Sequence, residues 1–221
     1  MVTINNDYVQ YGAGYSAPAG WLNFDASPTL RIQKIPLVGA RIARLKNPSP
    51  FPTDVIFGDI VRGLPVSEQS VSGLYASHVL EHLSLADCRI ALKNSFKILK
   101  PGGIFRLIVP SLTERAAKYL RLVEEGNPEA SHLFMHETYL GVSKSRQGLK
   151  DLILGAIGNA DHLWMWDNYS MSAELSNAGF TSIRPAKFGD CEDLMFSRVE
   201  CFDRFIDGGM VEVAIEARRP Q

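Results

Sequence analysis

The chain has 221 residues, of which 46% are hydrophobic and 21% charged, and a net charge of -1 at pH 7. A chain of this length buries a core of its own without a disulfide or metal staple. Its near-zero charge gives no electrostatic reason to expect nucleic acid, and without a run of about 18 apolar residues no membrane-spanning helix is expected.

The first residues, Met1 to Asp7, have neither a basic region nor an apolar core, so no secretory signal is expected. Tyr8 to Tyr11 is a short β-prone run ending in Gly12-Ala13-Gly14, and Trp21 to Asp25 is a second, ending on an acid. Tyr15 to Gly20 between them is too short for a crossover helix and carries Pro18. From Asp25 to Asp54 there is no acidic residue, while Arg31, Lys34, Arg41, Arg44 and Lys46 fall there. Residues 36–46 suit a basic helix, and Pro48, Pro50 and Pro52 an extended loop.

Asp54 to Asp59 predicts a third strand, again ending on an acid, and Gly73 to Ser77 a fourth. A helical stretch follows as far as Leu99, closed by Lys100-Pro101-Gly102-Gly103 as a helix C-terminus prefers. Ile104 to Val109 is the near-continuous apolar run of a strand buried on both faces. Residues 112–160 predict helices near 112–125, 129–139 and 146–157, more than one crossover needs, and so a helical insertion or lid. Asn168 to Ala178 predicts a helix ended by Gly179, and two strands close the chain, Ser182 to Phe188 and Met210 to Ala217. The three cysteines, Cys88, Cys191 and Cys201, form no CxxC pair and fit a reducing cytoplasmic setting.

Strands alternating with helices predict an α/β fold across residues 1–221: a mostly parallel sheet with helices on both faces and an antiparallel pair at one edge. Ligands of such sheets sit beyond the carboxyl ends of the strands. The polar candidates fall at those ends: Gly12 and Gly14 after the first strand, Asp25 after the second, Asp59 after the third, His78 after the fourth and Ser111 after the fifth. Glycines let a backbone turn tightly and approach a ligand, a carboxylate at 25 accepts from both hydroxyls of a ribose, and an Asp59-Ile60 pair offers an adenine a polar partner and an apolar wall. Each also has an ordinary use, as a Gly-rich turn or a turn Asp.

His78-Val79-Leu80-Glu81-His82 matches the H-x-x-E-H of inverted zinc peptidases. A zinc site needs both histidines on one helical face and a third ligand downstream. With His78 at a strand end, before any helix, the two rings need not face together, so no metal is expected. Instead His78 is expected as a wall residue or base, and Glu81 at the positive end of the following helix. His162-Leu163-Trp164-Met165-Trp166 reads as packing or as a substrate wall, with His162 a second proton acceptor.

These stretches together resemble a class I S-adenosylmethionine-dependent methyltransferase, nearest the small type 11 group of bacterial enzymes. Gln10 to Gly14, Gly20 to Asp25, Gly58 to Ile60, Ser77 to Leu83 and Leu99 to Gly103 carry the likeness. It implies a Rossmann-like sheet of seven strands with the last antiparallel, and S-adenosyl-L-methionine as cofactor. Gly12, Ala13 and Gly14 would border its methionine part, Asp25 its ribose, Asp59 and Ile60 its adenine, with Ser77 and His78 near the transferred methyl. A small-molecule or sugar-type acceptor is implied, and the basic stretch would suit a phosphate-bearing one in polysaccharide or cell-surface metabolism. Two departures stand out: Gln10 where relatives often carry an acid, and the missing helix after the first strand. They motivate the alternative of a non-catalytic protein that binds S-adenosylmethionine or S-adenosylhomocysteine. A dinucleotide is excluded, because Pro18 and the early Asp25 fit neither the helix nor the acid spacing of that fingerprint.

Overall fold

The computed structural model describes residues 6–36, 49–141 and 161–221. Its main sheet draws on β1 (Tyr8–Tyr11), β2 (Leu22–Asp25), β3 (Val55–Phe57), β4 (Val71–Ser77), β5 (Leu99–Val109), β6 (Thr181–Pro185) and a last strand, Val213–Arg218. A two-stranded hairpin, β7 (Ile206–Asp207) and β8 (Met210–Val211), precedes that last strand, which is therefore β9. The spatial order is β3-β2-β1-β4-β5-β9-β6. The first five strands pair in parallel, and β9 runs antiparallel to both β5 and β6. This is the expected seven-stranded, mostly parallel sheet with its last strand reversed.

The sequence direction reverses between β1 and β4, and a ligand crevice opens at such a switch point. The helices are α1 (Pro28–Gln33), α2 (Leu85–Ile98), α3 (Leu112–Glu124), α4 (Ala130–Glu137) and α5 (Asn168–Asn177). Ser27, Ser84, Ser111 and Asp167 cap α1, α2, α3 and α5 by accepting a backbone N–H into the side chain.

Alternation along the strands divides the core in two. Leu74, Ala76, Phe105 and Leu107 face α2 and α5 and meet Cys88, Leu92, Met171 and Leu175. Tyr75, Ile104 and Ile108 point the other way, toward Trp21, Phe196, Val199 and Phe205. The two faces are covered differently. One face carries α2 and α5, while the other carries α1, whose Leu30 packs with Val55, and a C-terminal segment built on short 3-10 turns, Leu194–Arg198 and Phe202–Arg204. No helix joins β1 to β2, as Pro18 and the short link predict. Trp21 fills that face instead, packing edge-on to Phe196 and donating its indole N–H to the Met195 carbonyl.

Lys100 to Gly103 does not close a helix. α2 ends at Ile98 and β5 starts at Leu99, so these residues form an irregularity within the strand, where Val71 pairs Leu99 but Gly73 already pairs Ile104. In the insertion, α3 and α4 match two predicted helices and pack through Tyr119 and Phe134. The third, at 146–157, lies outside the described residues, as does nearly all of the basic helix at 36–46.

Arg106 is a feature with no sequence signal. It lies in the middle of β5, buried, and is held by Glu200 at 2.6 Å, Glu216 at 2.7 Å and Asp190 at 2.9 Å. The acids come from the irregular segment and from β9, so the network ties that segment to the sheet.

Candidate functional site

The turn after β1 is built on two left-handed glycines, Gly12 at φ +70° and Gly14 at φ +54°. They differ in surroundings. A Cβ on Gly12 would lie 2.0 Å from Cγ2 of Val79, whereas one on Gly14 would meet none of the described residues within 4 Å. Gly12 thus lets the β1 turn press against the loop leaving β4, and Gly14 faces open space. The Gly14 amide donates to Asp25 Oδ2 at 2.9 Å and the Ser27 amide to Oδ1 at 2.7 Å, while the Ala13 amide donates to the Phe24 carbonyl. Each carboxylate oxygen keeps acceptor capacity beyond the amide it holds.

The Gly58 amide donates to the Asp25 carbonyl, which joins the end of β3 to the end of β2. Asp59 follows; its Oδ1 accepts from the Val61 amide and its Oδ2 lies 3.5 Å from Arg62 Nε. Ile60 packs into the main core beside Leu64, which leaves it little free surface for a ligand. Gln10 is buried, and its amide nitrogen donates to the Ser16 carbonyl and to Asn23 Oδ1. Its place in the fold is to hold the helix-free β1–β2 link against β2.

β4 delivers a second group. Ser77 ends the strand with a buried hydroxyl that has no hydrogen-bond partner. His78 takes φ +54°, a left-handed conformation rare outside glycine and costing of order 1–3 kcal/mol. Leu80–His82 is a 3-10 turn separate from α2, whose cap is Ser84. Glu81 therefore does not sit at the N-terminus of α2 as expected. It is fully buried, and among the described residues neither carboxylate oxygen has a hydrogen-bond partner, although burying an unsatisfied polar group costs about 1–3 kcal/mol and more for a charge.

Nor do the two histidines face apart: Nδ1 of His78 lies 3.5 Å and Nε2 of His82 3.9 Å from the same oxygen, Glu81 Oε1. The Glu81 carbonyl accepts from the Leu163 and Trp164 amides, which draws the 162–164 segment in. His162 is consequently buried, its ring 5.0 Å from that of His82 and 4.9 Å from that of Tyr139. Burial alone would lower the His78 pKa, but the Glu81 carboxylate beside it outweighs this and holds it above its ordinary value. For His162 burial prevails, and its pKa is lowered.

The two histidines singled out from sequence thus both line a cleft of about 320 Å³. Sequence reasoning missed most of the remaining wall: Tyr139 and Arg115 from the insertion, and Arg204, Asp207 and Glu212 from the C-terminal segment. Arg115 is buried and bound to both oxygens of Glu212, at 2.8 and 2.9 Å, and to Asp207 at 3.1 Å. Trp166 is buried, bridges to Ser111 and accepts the Leu112 amide at its carbonyl, so its part in the aromatic cluster is packing.

An adenosyl group with an amino-acid tail asks for close backbone approach, a carboxylate for its ribose and space beside both. Gly14 has its open side and Asp25 its spare acceptor capacity at neighbouring strand ends, while Ile60 is buried in the core.

Residues 9–107 match the model of the family described as "Methyltransferase domain". No curated protein matches the chain. Among solved structures, the chain is similar to the putative methyltransferase bound to the Haloferax volcanii activator Trm112, at 15% identity and TM-score 0.49, covering 100% of this chain and 84% of that one. It is also similar to an Archaeoglobus fulgidus SAM-dependent methyltransferase, at 13% identity and TM-score 0.49, covering 99% and 88%. A third is a Haemonchus contortus phosphoethanolamine N-methyltransferase, at 10% identity and TM-score 0.49, covering 100% of this chain and 50% of that one. Among the described residues no helix is long and apolar enough to cross a membrane.

Proposed function

We propose that the chain is a class I S-adenosylmethionine-dependent methyltransferase and that it methylates a small, hydroxyl-bearing acceptor of sugar type held in the cleft walled by His78, Tyr139, His162 and Arg204. The observation that carries this is the cleft's position. It adjoins the loop leaving β4, where Val79 packs on the Gly12 turn, so acceptor and cofactor sites share one boundary. About 320 Å³ suits a small molecule, and walls of imidazole, phenol, guanidinium and carboxylate suit a polyol better than an apolar ligand.

The cofactor supplies a sulfonium methyl for direct in-line displacement. In this reading the chain's residues align and desolvate the partners. The turn at Gly12, Ala13 and Gly14 borders the amino-acid part, Asp25 accepts from the ribose hydroxyls, Asp59 takes the adenine amino group and Ser77 stands near the reacting end. His78 accepts the acceptor's hydroxyl proton, with His162 the second imidazole lining the cleft.

For a phosphate on the acceptor the cleft offers Arg204, whereas three other cations are engaged. Arg115 is taken up by Glu212 and Asp207, Arg31 lies over the Phe57 ring, and Lys34 donates to the Thr53 carbonyl. A sugar acceptor would set the enzyme in polysaccharide or cell-surface metabolism, and its free thiols at Cys88, Cys191 and Cys201 suit the cytoplasm.

Calorimetry with S-adenosylmethionine and S-adenosylhomocysteine, followed by methyl transfer to matched panels of sugars, amines and thiols, tests the proposal. Transfer to a sugar hydroxyl, lost in His78→Ala with cofactor affinity retained, is expected. Transfer confined to amines or thiols would overturn the acceptor class.

A further inference from the structure

We propose that Glu81, His82 and His162 form a binding site for a divalent first-row transition-metal ion at the inner end of the acceptor cleft. A carboxylate oxygen of Glu81 and one ring nitrogen of each histidine lie within 4.8 Å of one another. Metal–ligand bonds of about 2.0–2.2 Å place ligand atoms roughly 3–3.5 Å apart, so small side-chain rotations close the set, and the Glu81–His82 approach is already 3.9 Å.

The hydrogen bonding around the group asks for a cation. His78 Nε2 faces the Arg204 carbonyl at 3.2 Å and His82 Nδ1 faces the Asp161 carbonyl at 3.1 Å. A carbonyl only accepts, so those nitrogens carry the protons. The other ring nitrogens, Nδ1 of His78 and Nε2 of His82, are turned toward Glu81 Oε1. Glu81 is fully buried with neither oxygen hydrogen-bonded, and Nδ1 of the buried His162 also lacks a partner. A buried carboxylate calls for positive charge, and a metal ion among these ligand atoms would supply it. The carbonyl bond of His82 is also what a metal-ligating imidazole uses to fix its tautomer.

Two imidazoles and one carboxylate select a first-row transition ion over calcium or magnesium. Three protein ligands leave coordination positions open, and His78 stands beside them. The proposal departs from the expectation of no metal and from the H-x-x-E-H ligand set: His162 is the downstream ligand, and Glu81 ligates where that motif would use His78. Metal binding is independent of the acceptor assignment and is measured without cofactor or acceptor.

The experiment adds Co²⁺ to chelator-treated protein and follows visible absorption, with Zn²⁺ as competitor. The expected result is one Co²⁺ per chain, displaced by Zn²⁺, with affinity falling at least tenfold in Glu81→Gln and in His162→Ala, each shown to be folded by circular dichroism. Should Glu81→Gln fail to fold, His82→Asn takes its place. A folded wild-type chain that retains neither ion would overturn the site and leave imidazolium charge as the partner of Glu81. Equal binding by the folded variants would overturn it too.

Discussion

The backbone amide of Gly14 donates to Asp25 Oδ2 at 2.9 Å, so the turn after β1 is fastened to the acid that ends β2. Turn and acid are one unit, which leads to the first prediction. Asp25→Ala removes the proposed ribose acceptor and also releases the Gly14 and Ser27 amides. Hydrogen bonds to a charged group contribute about 1.5–3 kcal/mol each, and 1.4 kcal/mol is tenfold. Calorimetry should show S-adenosylhomocysteine bound at least tenfold more weakly. Unchanged affinity would remove Asp25 from the pocket.

The two glycines should separate fold from ligand. Gly12→Ala drives a Cβ to 2.0 Å from Val79 and strains a left-handed residue. Overpacking of about 1–3 kcal/mol adds to strain of similar size, so its melting temperature should fall well below that of Gly14→Ala. Gly14→Ala carries the strain alone, but its methyl enters the open space. It should fold with modest loss and bind cofactor more weakly. Equal stability losses in the two variants would show that Val79 yields freely.

The strand ends were legible because glycine and acid punctuate apolar runs there, and Pro18 with a short link announced the helix-free first crossover. Other features followed from geometry that spacing does not carry. Lys100 to Gly103 reads as a helix stop, yet the same breakers serve a strand irregularity, because the helix needs no cap residues when β5 begins at the next position. Helical spacing placed Glu81 on the first turn of α2, but the positive φ of His78 and a separate 3-10 turn direct it inward. Arg106 and its partners lie 84 to 110 residues apart, and Arg115 and Glu212 lie 97 apart. Buried ion pairs between distant segments leave no local pattern.

Asp167 caps α5 by accepting the Ser170 amide at 2.7 Å in a reciprocal capping box. That backbone hydrogen bond holds its carboxyl below the ordinary value of 3.8. A depressed folded pKa means that the contribution is complete above 3.8 and is lost as pH falls through the lower folded value. Glu174 is also depressed, by its hydrogen bond from Arg89, so the wild-type acid arm is a sum. The difference between wild type and Asp167→Ala isolates the cap. Denaturant unfolding should give about 1 kcal/mol at pH 6, shrinking only below about pH 4. A difference that stays constant to pH 2 would mean that the carboxylate charge is not what caps the helix.

Gln10 stands where the resemblance leads one to expect an acid, and the structure gives it partners of its own. Its amide nitrogen donates to two acceptors, the Ser16 carbonyl at 3.0 Å and Asn23 Oδ1 at 2.5 Å, in a buried setting. Gln10→Glu would set carboxylate oxygens against both. The link between β1 and β2 has no helix of its own, so it should loosen, with a stability loss of at least about 2 kcal/mol at pH 7. The introduced acid would be raised in pKa by the fold. Its penalty should therefore be absent below its unfolded value of about 4.3 and should grow as pH rises above it. Cofactor affinity should not improve, because the side chain faces the link. A Gln10→Glu protein as stable as wild type that binds S-adenosylmethionine more tightly would instead put position 10 in the cofactor site, and the loss of an acid there would again count against turnover.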